Sequence, residues 1–209
     1  MNMVSRATAA VAVLALLSPA ATSAQDASGA AADGTATAVF AGGCFWCVEA
    51  DFDKVDGVLK TVSGYTGGTT QSPTYKEVTY GDTGHYEAVE VTYDPAKVDY
   101  RTLVDYHFRH IDPTDAGGQF CDRGDSYRTA IFVDGAEERA AAEASKAEAD
   151  ALIEEEVVTP IFEAGAFYPA EEYHQDYYEK SSLKYKYYRW SCGRDARVAE
   201  VWAGVDQPS

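Results

Sequence analysis

The sequence predicts an α+β fold, a ferredoxin-like α/β sandwich with a mainly antiparallel sheet and a long coil-rich C-terminal tail. Three observations lead there. Short runs rich in β-branched and aromatic residues recur between glycine and proline turn signals, and helical periodicity separates several of them. The composition, 46% hydrophobic and 12% aromatic over 209 residues, suits one domain with its own core plus appendages.

The first segments lie ahead of that domain. Arg6 precedes the apolar run Ala7 to Leu17, shorter than the roughly 20 residues a spanning helix needs. Ser18-Pro19 and Thr22-Ser23-Ala24 follow, so residues 1–24 read as a secretory signal cleaved after Ala24, with an uncleaved anchor as the alternative. Residues 25–37, built from Ala, Gly, Ser, Thr and Asp with one Gln, read as a flexible linker, and residues 38–209 as the folded domain. Within it, Ala38 to Ala41 is expected as a buried strand ending at Gly42-Gly43. Cys44 then opens a helix through Val48, Phe52 and Val55 that stops at Gly57. Val58 to Thr66, Lys76 to Tyr80 and Tyr86 to Tyr93 read as strands, and Tyr100 to His110 as a helix. Arg128 to Asp134 reads as a strand and Ala136 to Glu156 as a long Ala/Glu helix. The tail from Phe162 to Trp190 holds seven of the 15 tyrosines and is expected to wrap the domain.

Charge narrows the partners. There are 17 Lys and Arg against 34 Asp and Glu, a net charge of -17, and loss of Arg6 with the leader makes it 16 minus 34, or -18. Nucleic acids and anionic membrane surfaces are therefore poor partners, because both are held mainly through cation contacts with phosphate. The sulfur inventory is unusual: four cysteines, Cys44, Cys47, Cys121 and Cys192, and two methionines, Met1 and Met3, both in the leader. Export points to an oxidising compartment, periplasmic in a bacterium, where four cysteines can form two structural disulfides.

Position favours a different use of Cys44. A glycine turn leaves a strand there and a helix begins, so free backbone N–H groups and the positive helix end can stabilise a thiolate. A structural thiol, a redox-exchange pair with Cys47 and a metal ligand are the alternatives. Cys121 and Cys192 lie 71 residues apart and supply no second CxxC, so no metal set is read. In the strand from Tyr86 to Tyr93, the period of two puts Glu87 on the face of Val89, Val91 and Tyr93. A carboxyl on an apolar face has a raised pKa and can act as a general acid, unless it reaches solvent at the strand end. Phe45 and Trp46 are core residues or the wall of an apolar cage for a methyl or thioether group. Tyr65, Tyr127 and Asp122 sit in glycine-bearing turns, where they either aim at a ligand or only serve the turn. The histidines are scattered, with no signature of a cysteine-protease base.

Gly43-Cys44-Phe45-Trp46, Gly64-Tyr65-Thr66-Gly67-Gly68, Pro73-Thr74-Tyr75, Gly81-Asp82-Thr83-Gly84-His85-Tyr86-Glu87-Ala88-Val89 and Tyr127-Arg128 occur in that order. With these motifs the chain resembles the peptide methionine sulfoxide reductase A family over Val39 to Cys192. The resemblance implies that Cys44 attacks the sulfur of a methionine S-sulfoxide, protein-bound or free, while protonated Glu87 gives a proton to the departing oxygen. Methionine leaves and Cys44 becomes a sulfenic acid. It further implies that Tyr65 and Tyr127 hydrogen-bond the sulfoxide oxygen, Asp122 helps hold the substrate, and Phe45 and Trp46 cage the methyl group. A second thiol then forms a disulfide, with no bound cofactor. Thioredoxin or a periplasmic thioredoxin-like dithiol reduces it, and the enzyme is expected to be monomeric.

The chain departs from the common family pattern at Cys47, where glycine is usual, at Cys121, where asparagine is usual, and at Asp125-Ser126. Cys192 is the expected resolving thiol because it lies in the variant of the family's glycine-rich tail. Cys47 is next, and Cys121 is either structural or a relay. Two other readings compete: a general thiol-disulfide oxidoreductase built on Cys44 and Cys47, and a binding domain whose cysteines are all structural.

Overall fold

The computed structural model describes Met1 and residues 34–205. The expected leader, Met1 apart, and most of the linker lie outside the described residues. Among the described residues the first regular element is β1 (Ala36–Gly42), which begins two residues ahead of the expected strand and inside the stretch read as linker, because Ala36 and Thr37 pair with Tyr93 and Thr92. The elements that follow are α1 (Phe45–Phe52), β2 (Val58–Thr66), α2 (Tyr75–Tyr80), β3 (Tyr86–Tyr93) and α3 (Tyr100–Phe108). A two-stranded ribbon of β4 (Gly118–Gln119) and β5 (Asp122–Arg123) leads to β6 (Thr129–Val133) and α4 (Gly135–Leu152). The chain ends with β7 (Ile161–Glu163), β8 (Tyr168–Pro169), α5 (Tyr177–Lys180), α6 (Ser182–Ser191) and α7 (Arg194–Val201).

Six strands form one sheet in the order β7-β6-β1-β3-β2-β8. Only the β6–β7 pair is parallel, so the architecture is a mixed α/β fold on a mostly antiparallel sheet. Alternation along the strands separates two apolar faces. Phe40, Val89, Val91 and Ile131 meet Val48 and Phe52 of α1, Leu103 and Phe108 of α3, and Ala142 and Ala149 of α4 in the main core. Ala41, Ala88, Ala130 and Phe132 face the other way and are covered in part by Phe167. At roughly 2 to 3 kcal/mol for each fully buried aliphatic or phenyl side chain, the first face dominates the fold energy.

Two expectations are corrected. Residues 76–80 form the helix α2 and not a strand. Thr74 and Glu77 make a reciprocal capping box, with the Glu77 N–H bonded to Thr74 Oγ1 at 3.4 Å and the Thr74 N–H to Glu77 Oε2 at 2.8 Å. These bonds satisfy N–H groups that a strand would have to pair with a neighbour. The tail is helical over α5, α6 and α7 where coil was expected. Tyr185, Tyr188 and Cys192 recur at i, i+3 and i+7, so one stripe of α6 faces the domain.

α7 is anchored from within. The buried Arg194 guanidinium donates to the Gly42 carbonyl at 3.0 Å and the His110 carbonyl at 2.9 Å. Trp202 Nε1–H donates to the Phe108 carbonyl at 3.1 Å. The end of the chain thereby holds the turn between β1 and α1 and the end of α3.

Candidate active site

The site is built where β1 ends. Gly43 turns the chain at φ +81°, and a Cβ there would lie 2.5 Å from Gln119 Cβ, so both the conformation and the space require glycine. Cys44 follows as the N-cap of α1 and is buried, 6% exposed. The Phe45 N–H, which a thiolate at a helix start would use, donates instead to Glu87 Oε2 at 3.1 Å. This single bond joins the helix start to the middle of the sheet.

Glu87 is buried, as the alternation predicts, and does not reach solvent. Burial pushes its carboxyl up to about 8, helped by the nearby Asp122 and Cys47, while the Phe45 N–H and the Tyr127 hydroxyl pull the other way. It is therefore mostly protonated at neutral pH and can donate.

The Cys44 thiol is raised well above its ordinary value, first by burial and then by the hydrogen bond and charge of Cys47 and the charge of Glu87; a hydrogen bond with Tyr188 opposes this. The ligand-free site thus holds a thiol where the helix start alone predicts a thiolate, first because the sulfur is buried. Cys47 is lowered by its hydrogen bond with Cys44 and by Arg194 and Arg189, against its own burial.

The tyrosines converge on the same place. Tyr65 pairs with Glu87 in the β2–β3 register, is fully buried, and donates to Glu171 Oε2 at 2.9 Å. Glu171 Oε1 also accepts the Tyr75 N–H at 2.9 Å, so one carboxylate fixes two walls. Tyr127 bonds to Glu87 and, through its hydroxyl, to Tyr75. Burial raises both Tyr65 and Tyr127 far above the ordinary phenol value, so they act as donors and not as bases. Phe45 is buried with its ring 5.9 Å from Tyr65 and 5.0 Å from His174. Trp46 stacks on Tyr177 at 3.8 Å and donates from Nε1 to His174 Nδ1 at 3.1 Å. An aromatic wall beside a neutral acid and a thiol can hold a methyl or thioether group while the acid protonates an oxygen.

Asp122 is partly buried, and its carboxyl is raised, chiefly by burial; Oδ2 accepts the Tyr188 hydroxyl. Cys47 lies beside Cys44, as the spacing on one helix allows. Cys121 and Cys192 are bonded to each other, with their Cα atoms 4.9 Å apart, while Cys44 and Cys47 are free thiols. Cys192 is thus placed next to Cys121 and not next to Cys44 in this state.

Sequence reasoning missed Tyr75, Glu171, His174, Tyr177 and Tyr188. Tyr75 lies inside a quoted motif and Tyr188 on the helical stripe of α6, so both had a signal. Glu171, His174 and Tyr177 had none, because contacts more than 90 residues apart place them.

Comparison with known proteins points to one family. A family model described as peptide methionine sulfoxide reductase covers residues 36–205. A Caulobacter vibrioides protein named peptide methionine sulfoxide reductase MsrA 2 is 57% identical over 175 residues, 83% of this chain and 89% of that one. A Listeria innocua protein named peptide methionine sulfoxide reductase MsrA is 54% identical over 169 residues, 80% of this chain and 96% of that one. Among solved structures, reduced Mxr1 from Saccharomyces cerevisiae superposes with a TM-score of 0.69 at 31% identity, covering 73% of this chain and 88% of that one.

Proposed function

The chain belongs to the peptide methionine sulfoxide reductase family, and we propose that it reduces methionine S-sulfoxide to methionine with Cys44 as nucleophile and Glu87 as acid. It is a thiol-dependent oxidoreductase of protein repair, recycled by a thioredoxin-type dithiol. The observation that carries the site assignment is the buried Glu87, raised to about 8 and bonded to the N–H next to the nucleophile.

In the reaction the Cys44 sulfur attacks the sulfoxide sulfur while Glu87 protonates the oxygen, steadied by the Tyr65 and Tyr127 hydroxyls. Phe45 and Trp46 hold the methyl group, and Asp122 holds the substrate backbone. Methionine departs and the hydroxyl remains on Cys44 as a sulfenic acid. Its hydrogen bond with Cys44 makes Cys47 the thiol that attacks first, expelling water and leaving a Cys44–Cys47 disulfide. Cys192, the resolver expected from the tail motif, enters only after its bond to Cys121 is opened.

The leader pattern of residues 1–24 supports export to the periplasm and an external dithiol there. The order β6-β1-β3-β2, with helices α1 and α3 between its strands, supports reading the core as ferredoxin-like. The test is incubation of the protein with dithiothreitol and racemic dabsyl-methionine sulfoxide. Loss of the S epimer alone is expected; recovery of both epimers unchanged would remove the assignment.

A further inference from the structure

Cys121 and Cys192 are bonded to each other beside the substrate-holding Asp122, and the first disulfide of the reaction uses neither. Phe120 and Cys121 make the two-residue turn of the β4–β5 ribbon, with Phe120 at φ +56°, and Cys192 caps the C-terminal end of α6. The two sulfurs and a carboxylate oxygen of Asp122 all lie within 4.8 Å of one another. Among the described residues no other three donor atoms of His, Cys, Asp and Glu converge in this way. Cys121 is exposed and the other two are half-buried, so an ion can reach them from solvent.

Contacts other than the disulfide hold both limbs of this cluster. The ribbon pairs Gly118 with Arg123 and Gln119 with Asp122, and the Gln119 amide accepts the Asp112 N–H at 2.9 Å and donates to the Asp112 carbonyl at 2.7 Å. On the other limb Arg189 donates to Asp51 Oδ2 at 3.0 Å, and Arg194, two residues past Cys192, is fixed to the Gly42 and His110 carbonyls. Opening the sulfur–sulfur bond therefore frees two thiols while the backbones that carry them, with Cα atoms 4.9 Å apart, stay side by side.

We propose that Cys121, Asp122 and Cys192 form a zinc site that becomes available when an external dithiol reduces their disulfide. The dithiol supplies two electrons and two protons: the sulfur–sulfur bond breaks, two S–H bonds form, and the dithiol itself becomes a disulfide. Zn²⁺ then displaces the two S–H protons to solvent and gains two Zn–S bonds and one Zn–O bond, with water as the fourth ligand. Thiolates do not suit Mg²⁺ or Ca²⁺, which take oxygen ligands, whereas two sulfurs and one carboxylate suit Zn²⁺. Zn–S bonds of about 2.3 Å at a tetrahedral angle set the sulfurs roughly 3.8 Å apart, a separation this cluster can reach. The Tyr188 hydroxyl donates to Asp122 Oδ2, which orients the carboxylate and leaves Oδ1 for the ion. Arg194 opposes a cation there, but it is shared with Asp51 at 3.9 Å and two carbonyls, and three anionic donors outweigh it. Bound zinc occupies the carboxylate the substrate needs, so the loaded enzyme is inhibited. That consequence rests on the proposed reductase reaction; the binding does not.

The test is cobalt(II) titration of the protein, reduced with a phosphine and desalted without oxygen, read by thiolate-to-cobalt charge-transfer absorption and by displacement with zinc. Reduced wild type and Cys44→Ser are expected to bind one equivalent, the unreduced protein none, and Cys121→Ser is expected to lose the band. Cys192→Ser removes the other thiolate and takes over if Cys121→Ser fails to fold. No band in the reduced wild type, a band with the disulfide still closed, or a band that survives both substitutions and vanishes in Cys44→Ser overturns the proposal. Zinc should also raise about tenfold the N-acetyl-methionine sulfoxide concentration that gives half the maximal single-turnover rate, the loss of one charged hydrogen bond, and should not do so in Cys121→Ser. An equal rise in both would put the inhibiting ion on Cys44 and overturn the inhibition. Should the wild type form no methionine without zinc, the reductase reading fails, while the cobalt titration still decides the site.

Discussion

Replacing Glu87 with glutamine separates the cost of the acid from its use. The carboxyl has an ordinary value of 4.5 and is raised to about 8 in the fold. Below 4.5 it is neutral in both folded and unfolded chains and costs nothing. Above 4.5 the unfolded chain releases the proton while the fold keeps it, so stability falls with rising pH until about 8, where the folded carboxyl ionises too and the loss levels off. At about 1.4 kcal/mol per pH unit, the ionised side chain costs the fold roughly 5 kcal/mol. Glutamine is neutral at every pH, and its carbonyl can still accept the Phe45 N–H. The variant should therefore gain about 4 kcal/mol more over wild type at pH 8.5 than at pH 5, measured as the difference in urea unfolding free energies under reducing conditions. Methionine formation in a single turnover at pH 7 should at the same time drop by about 10² to 10⁴, the usual contribution of a positioned acid. Equal stability differences at the two pH values would refute the claim that Glu87 is held neutral by burial.

Three further outcomes are expected. After one turnover without reductant, dimedone should label Cys44 in Cys47→Ser and leave it unlabelled in Cys192→Ser; the reverse pattern would return the resolving role to Cys192. Gly43→Ala places a Cβ 2.5 Å from Gln119 Cβ at φ +81°, so a loss of about 2 kcal/mol or more should appear in denaturant unfolding, and an unchanged midpoint would contradict the tight turn. Glu171→Ala leaves the buried Tyr65 hydroxyl without its acceptor, which should cost about 1 to 3 kcal/mol and raise KM for N-acetyl-methionine sulfoxide. Thermal unfolding and steady-state kinetics read both effects.

Much of the framework was legible because it is local. β2 and β3 occupy the expected residues, since alternation with one apolar face is strong there, and that alternation also put Glu87 on its buried face. α2 was misread because its Tyr, Val and Thr content mimics a strand, and the decisive Thr74–Glu77 capping box is a pair of polar contacts that hydrophobic period does not register. Composition alone suggests coil in the tail, whereas the i, i+3, i+7 stripe of Tyr185, Tyr188 and Cys192 carries the helical signal. The Cys44 protonation state was illegible in principle. It depends first on burial of the sulfur beneath segments distant in the sequence, and then on Cys47 and on Glu87, 43 positions away.

The hold of Arg194 on the Gly42 carbonyl also sets an order of assembly. The two residues are 152 positions apart, so the turn that carries the nucleophile gains this partner only when nearly the whole chain is available. A chain still being made carries Cys44 without its finished surroundings. Its reactivity is then that of any unfolded thiol, and the finished centre arrives only with the last helix.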